Sequence, residues 1–286
     1  EWFDMVLKNY QDNVVDVYLN DESVEIERVK EVANDRLVQI KFTFTMSAFS
    51  KCLRPVSIYP TDIANLVTWL RADSGLTFDI PTKKVSAWAD YSGSNNGLVQ
   101  ATKSKQPLRY GYDGANDKAR IDFNGTSDFF SSVNNLPITT QFTIFQVSKN
   151  SGNNITNILT YDDTGASIKL SYAANSELSA RVSDGATTIT ATLTGSNDSN
   201  YHIGTYKLQN KTLSVQYDAL GSSLSTSVTE SGYENTTSFN NAIYTISSST
   251  SPIKANIQEF IIFNSVLSDV EIANVKSYLN TKYKIY

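Results

Sequence analysis

Residues 255–286 read ANIQEFIIFNSVLSDVEIANVKSYLNTKYKIY. The first part, Ile257 to Phe263, is a short strand closed by Asn264-Ser265. The second part is the one clear helix of the chain. Ser268, followed three residues later by Glu271, spells a capping box, in which each side chain satisfies the other's backbone N–H. Ile272, Val275 and Leu279 then share one helical face, which should dock on a sheet.

Upstream, the chain is a procession of short strands. Phe142 to Ser148, Ser167 to Tyr172, Leu178 to Ser183, Thr187 to Leu193, Tyr201 to Leu208 and Thr212 to Asp218 are each bounded by Gly, Asn, Asp or Ser clusters. That spacing predicts a two-sheet antiparallel sandwich. Thr188, Thr190 and Thr192 occupy alternate positions, as on the outward face of a pleated strand. No segment repeats at a fixed period, which disfavours a solenoid or propeller.

A break falls at Pro55 to Asp62. Before it, Val38, Ile40, Phe42, Phe44 and Met46 alternate with polar residues, the period-two pattern of a half-buried strand. Val14 to Leu19 and Val24 to Val32 read as two more strands joined at Asn20-Asp21-Glu22. Residues 1–58 are therefore expected to form a small β-meander, and residues 59–286 the sandwich. A meander this small buries little surface, so it is read as an attachment or docking piece.

Composition bounds the function. Hydrophobic residues make up 40% of the 286 and aromatics 11%, enough for a sizeable core. With 24 basic against 29 acidic side chains the net charge is −5, and no basic cluster offers a phosphate-binding surface, so nucleic acid is not an expected partner. Cys52 is the only cysteine, which excludes an intramolecular disulfide and any multi-thiolate site. No run approaches the ~20 apolar residues of a membrane span, and residues 1–20 lack the basic start and apolar centre of a signal peptide.

Two distant segments carry a family likeness. The first holds Trp69 and Asp73 in WLRADSG, Trp88 and Asp90 in WADYSG, Asn95 and Asn96, the stretch DFNGTSD from Asp122 to Asp128, expected as a hairpin, and QFTIFQV; the second is the closing strand and helix. Together they resemble the laminin-G-like members of the concanavalin A-like lectin/glucanase superfamily, from about residue 62 onward. The resemblance implies an antiparallel jelly-roll sandwich, with Trp69 and Trp88 packing the core. It also raises two chemical questions, catalysis and calcium.

Retaining glucanases of that fold set acidic residues in close succession along a strand, because two carboxylates must face one sugar about 5 Å apart. Glu177, Glu230, Glu234, Glu259 and Glu271 are isolated and read as solvated-face residues, while Glu25 and Glu27 share a strand face outside the sandwich. The single histidine, His202, lies in an alternating strand with no nucleophile elbow to serve. No catalytic residues are therefore expected. For calcium, which takes six to eight oxygens, the resemblance directs attention to loop rims. Asp90, Asp162 and Asp163 are the candidate ligands, each weighed against the ordinary use of Asp in tight turns. Tyr91, Tyr161 and Tyr172 are the candidate ligand-contacting aromatics.

The expectation is a non-catalytic recognition module that binds a glycan or surface protein, on a virion or other extracellular surface, with residues 1–58 joining other subunits. The alternative is a purely structural virion or assembly protein, and the third reading a divergent glycoside hydrolase.

Overall fold

The structure is a computed structural model. It describes residues 58–138, 140–151, 156–162, 166–172, 177–194, 200–219, 222–234, 243–248, 250 and 252–286, together with two short strands near the start of the chain. The chain divides into two compact units, Glu1–Ser57 and Ile58–Tyr286. In the first, β1 (Tyr18–Leu19) pairs antiparallel with β2 (Glu22–Ser23), so Glu22, expected in the turn, belongs to a strand. The remaining expected strands of that unit lie outside the described residues, as do Glu25, Glu27 and Cys52.

The second unit begins with β3 (Leu66–Arg71), β4 (Leu76–Phe78), β5 (Val85–Trp88), β6 (Leu98–Val99) and β7 (Leu108–Tyr110). It continues through β8 (Arg120–Asn124), β9 (Phe130–Ser132), β10 (Phe142–Asn150), β11 (Thr156–Asp162) and β12 (Ser167–Tyr172). Then come β13 (Leu178–Ser183), β14 (Thr188–Leu193), β15 (His202–Gln209), β16 (Thr212–Ala219), β17 (Ser222–Thr229), β18 (Tyr244–Ile246) and β19 (Lys254–Phe263), closed by helix α1 (Asp269–Tyr283). Each strand the spacing predicted here is present, within two or three residues of its expected ends.

These strands form two antiparallel sheets. One runs β17-β16-β15-β10-β19-β8-β7, and β3 pairs with the second half of β19 on the edge whose first half takes β8. The other runs β14-β13-β12-β11-β18-β9-β6-β5-β4. Between them lies the main core, where Trp88, Phe130, Phe142, Ile144, Tyr206 and Phe260 are fully buried. A second core lies on the outer face of the first sheet, where Phe145, Val147, Ile203, Ile261 and Phe263 meet Val275, Leu279 and Tyr283 of α1. Alternation explains both, since successive residues of β10 and β19 point to opposite faces and both faces are covered. The predicted capping box is present: Ser268 N–H donates to Glu271 at 2.8 Å, and Glu271 N–H donates to Ser268 Oγ at 3.3 Å.

Two local features depart from the sequence reading. The Asp122–Asp128 stretch is a corner, not a hairpin, because β8 and β9 belong to different sheets. Asn124 Oδ1 builds it by accepting the N–H groups of Thr126, Ser127 and Asp128 at 2.8, 2.9 and 3.2 Å, around Gly125 at φ +75°. In β19, Val147 pairs with Glu259 and Ser148 with Ile257, which leaves Gln258 as an extra residue, a β-bulge. The bulge turns Ile257 into the main core while Glu259 points out toward α1. Gln258 itself reaches back to donate to Ala119 C=O at 3.3 Å and to accept Ala115 N–H at 3.1 Å, in space that Gly114 leaves: a Cβ on that glycine would sit 2.3 Å from the Gln258 amide nitrogen.

Candidate functional site

Glu259 was read from sequence as a solvated glutamate; the structure corrects this. Its side chain is 0% exposed, beneath α1. Oε1 accepts the Trp69 indole N–H at 2.6 Å and the Tyr278 hydroxyl at 2.8 Å. Oε2 accepts the Tyr283 hydroxyl at 2.6 Å and the Lys282 ammonium at 2.7 Å. A carboxylate offers about four lone-pair sites, and here all four are taken. Burial, followed by the charge of Glu259, pushes the Tyr278 and Tyr283 hydroxyls well above the usual phenol range, so both stay protonated and donate.

Above this buried group lies a half-exposed layer. Lys282 also meets Asp73 at 3.1 Å, and Asp73 meets Arg71 at 3.2 Å. Burial raises the Asp73 pKa, but Lys282 and then Arg71 outweigh it, so the carboxyl sits below its ordinary value. A group with a depressed folded pKa contributes stability above its unfolded value, about 3.9, and loses it as pH falls. Acid unfolding should therefore include an Asp73 component below about pH 4, and Asp73→Asn should flatten that part of the stability profile; an unchanged slope would refute the assignment.

Aromatic rings complete the site. The Arg71 guanidinium lies 5.2 Å from the Trp69 ring centre and 5.3 Å from that of Tyr91. Trp69 meets Tyr91 edge-on at 6.1 Å and Tyr278 edge-on at 5.9 Å, and Tyr278 meets Tyr59 at 5.6 Å. Tyr91 is 37% exposed, its hydroxyl held by Ser74 Oγ. The row Tyr59, Tyr278, Trp69, Tyr91 thus crosses the β3 side of α1 with one cation set between two of its rings.

Asp90 positions Tyr91. Its Oδ1 accepts Trp69 N–H at 2.8 Å and Ser92 N–H at 2.9 Å; its Oδ2 accepts Ser92 Oγ at 2.7 Å and Asn96 N–H at 2.9 Å. Every lone pair is again occupied, so the turn reading of Asp90 accounts for it and the calcium reading does not. Asp162 closes β11, and Asp163 lies outside the described residues. Among the described residues no group of three or more His, Cys, Asp and Glu side chains is placed to hold a metal ion.

The other candidates separate. Tyr172, expected at the surface, is 3% exposed: it points into the main core and shares a hydrogen bond with Ser148 at 2.7 Å, because β12 turns its even-numbered positions inward. Tyr161 lies in β11, whereas Tyr91 packs on Trp69 of β3, a strand of the other sheet. Trp88 is a core residue, as expected, and donates its indole N–H to Arg71 C=O at 2.9 Å. His202 is buried and stacks on Tyr217 with ring centres 3.8 Å apart. Arg71, Tyr278 and Lys282 were missed, because their positions in sequence give no sign that α1 returns to lie beside β3.

The class that this architecture defines is the antiparallel β-sandwich with a helix on one outer face. No family model matches the sequence, and no curated protein matches it. Among solved structures, it is similar to domain 4 of AbnA, a GH43 extracellular arabinanase from Geobacillus stearothermophilus, in complex with arabinotriose. That likeness has a TM-score of 0.53 at 12% identity and covers 74% of this chain and 98% of that one. A GH54 α-L-arabinofuranosidase soaked with 4-nitrophenyl α-L-arabinofuranoside is similar with a TM-score of 0.52 at 12% identity, over 76% of this chain and 59% of that one. Trypanosoma rangeli sialidase in complex with sialic acid gives 0.50 at 17% identity, over 77% and 33%. The chain thus spans about three-fifths of the arabinofuranosidase and a third of the sialidase. Likeness at these identities establishes the fold.

Proposed function

We propose that the sandwich is a non-catalytic recognition module of the concanavalin A-like jelly-roll kind, and that its ligand is a glycan. The observation that carries this reading is the exposed Tyr91 ring, braced by Trp69 and flanked by the Arg71 guanidinium. An aromatic face beside a hydrogen-bonding cation suits a sugar, which presents C–H groups on one face and hydroxyls around its rim. The similar sandwiches described with arabinotriose, an arabinofuranoside and sialic acid support the ligand class. The non-catalytic reading is supported by the carboxylates of the site: Glu259 has no free lone pair, and Lys282 stands between it and Asp73. The setting we assign is a virion or other extracellular surface, with residues 1–58 as the piece that joins other subunits.

A broad glycan panel, run with calcium and with chelator, tests the proposal together with Tyr91→Ala. Selective binding that falls about tenfold in the variant, the loss for about 1.4 kcal/mol of ring contact, with an unchanged unfolding midpoint, is the expected result. A blank panel for the unaltered protein would shift the reading to a structural assembly protein.

A further inference from the structure

On the flank of α1 away from Lys282, the outer face of the first sheet is not covered by apolar side chains. Instead a groove of about 560 Å³ runs between α1 and strands β15, β16 and β17. Its volume lies in the range of small-molecule sites, about 300–1,000 Å³. Its floor is a grid set by strand register, with one row Thr205, Gln216, Ser225 and the next Lys207, Ser214, Ser227. Strands lie about 4.8 Å apart and same-face neighbours along a strand about 6.7 Å apart. The helix supplies the wall through Ile272, Ala273, Asp269 and Lys276.

A second observation points to a ligand. Thr205 lines the groove, is only 4% exposed, and its Oγ1 has no hydrogen-bond partner. A hydroxyl withdrawn from water without a partner is an unmet demand that an occupant can answer. Charge defines the occupant further. Lys276 is neutralised by Asp218 at 2.8 Å, and the remaining lining charges, Lys207 and Asp269, are of opposite sign. The groove therefore selects no ion. Ser and Thr hydroxyls and the Gln amide both donate and accept, as do the hydroxyls of a saccharide. Gln216 is held in place by donating to Ser223 Oγ at 3.2 Å. Among the described residues no aromatic ring lines the groove, so recognition there runs through hydrogen bonds rather than stacking.

We infer that this groove is a second binding site, on the opposite flank of α1 from Tyr91, for an uncharged polyhydroxylated chain such as a neutral oligosaccharide. The ligand class rests on the glycan reading above; the location rests on the groove alone.

The experiment titrates the full chain with arabinotriose and maltotriose, with sialyllactose as the acidic comparator, and follows amide shifts and affinity. Neutral trisaccharides should shift residues of β15, β16 and β17. Thr205→Val, which exchanges the hydroxyl for a methyl of similar size, should weaken that binding about tenfold while the unfolding midpoint holds or rises, a combination that a structural role would not give. Gln216→Ala should weaken binding likewise. Tyr91→Ala should leave the groove shifts in place, so loss of those shifts through Thr205→Val but not through Tyr91→Ala supports a site separate from the Tyr91 platform. The inference is overturned if neutral trisaccharides shift nothing along β15–β17, if Thr205→Val binds as the unaltered protein does, or if sialyllactose is preferred there.

Discussion

Replacing Glu259 by alanine should lower the stability of the sandwich by about 3–5 kcal/mol, the range for removing one partner of a buried ion pair. The reason lies in what is left behind. Lys282, 12% exposed, would keep only Asp73, and the Trp69 indole and the Tyr278 and Tyr283 hydroxyls would lose their shared acceptor under a helix that excludes water. In a protein of this size each kcal/mol corresponds to roughly 2–4 °C in unfolding midpoint, so a drop of more than about 6 °C is the thermal counterpart. Glu259→Gln, which keeps the shape but turns an amide NH₂ toward groups that are themselves donors, should fall between. Urea denaturation of both variants measures this. A loss below about 1 kcal/mol, the value of an exposed pair, would mean that water reaches the cluster and that α1 is held by its apolar face alone.

Trp88→Ala should cost about 3–5 kcal/mol as well, by a different mechanism. Trp88 is fully buried, its ring centre 6.1 Å from Phe130, and its indole N–H satisfies Arg71 C=O. Removing it leaves a void between the sheets, and the Arg71 carbonyl keeps the longer bond from Ser74 N–H at 3.3 Å. Contrast with Tyr91→Ala separates the two aromatic roles. The core tryptophan should reduce stability far more than binding, and the exposed tyrosine binding far more than stability. Should Trp88→Ala keep its unfolding midpoint, the placement of this ring between the sheets would be wrong.

The parts of the fold legible in the sequence were those governed by local rules. The helix was marked by Ser268 and Glu271 because a capping box is a contact within one turn, and the strands from Phe142 to Asp218 by turn residues at their ends. What was missed depends on distant partners. Four of the eight residues of β17, SSLSTSVT, are serines, which mark loops as readily as strands, and they pair along the neighbouring β16. Glu259 shares odd-number parity with Ile257, so a regular strand would send both to one face; the bulge at Gln258 separates them, and the space its side chain fills is left by Gly114, about 140 residues earlier in the chain. A charge inside QEFIIF was nevertheless a usable signal, since an apolar strand tolerates one only with partners. Tyr91 was one of several tyrosines read as exposed, and it is 37% exposed. Tyr278 and Lys282, which meet Trp69 and Asp73 beside it, were not foreseen, because they arrive from the far end of the chain.

The double pairing of β19 also governs how the chain can fold. Its two halves bond to β3 and β8, its other edge to β10, and the Trp69–Glu259 contact joins residues 190 positions apart. Contacts this distant must pay loop-closure entropy before they return any stabilisation, which places such topologies at the slow end of folding rates. During synthesis, β3, β8 and β10 would emerge long before their common neighbour. Until Lys254–Phe263 leaves the ribosome, the edges that β19 covers on those strands stay unpaired, the kind of surface that makes an incomplete chain prone to aggregation.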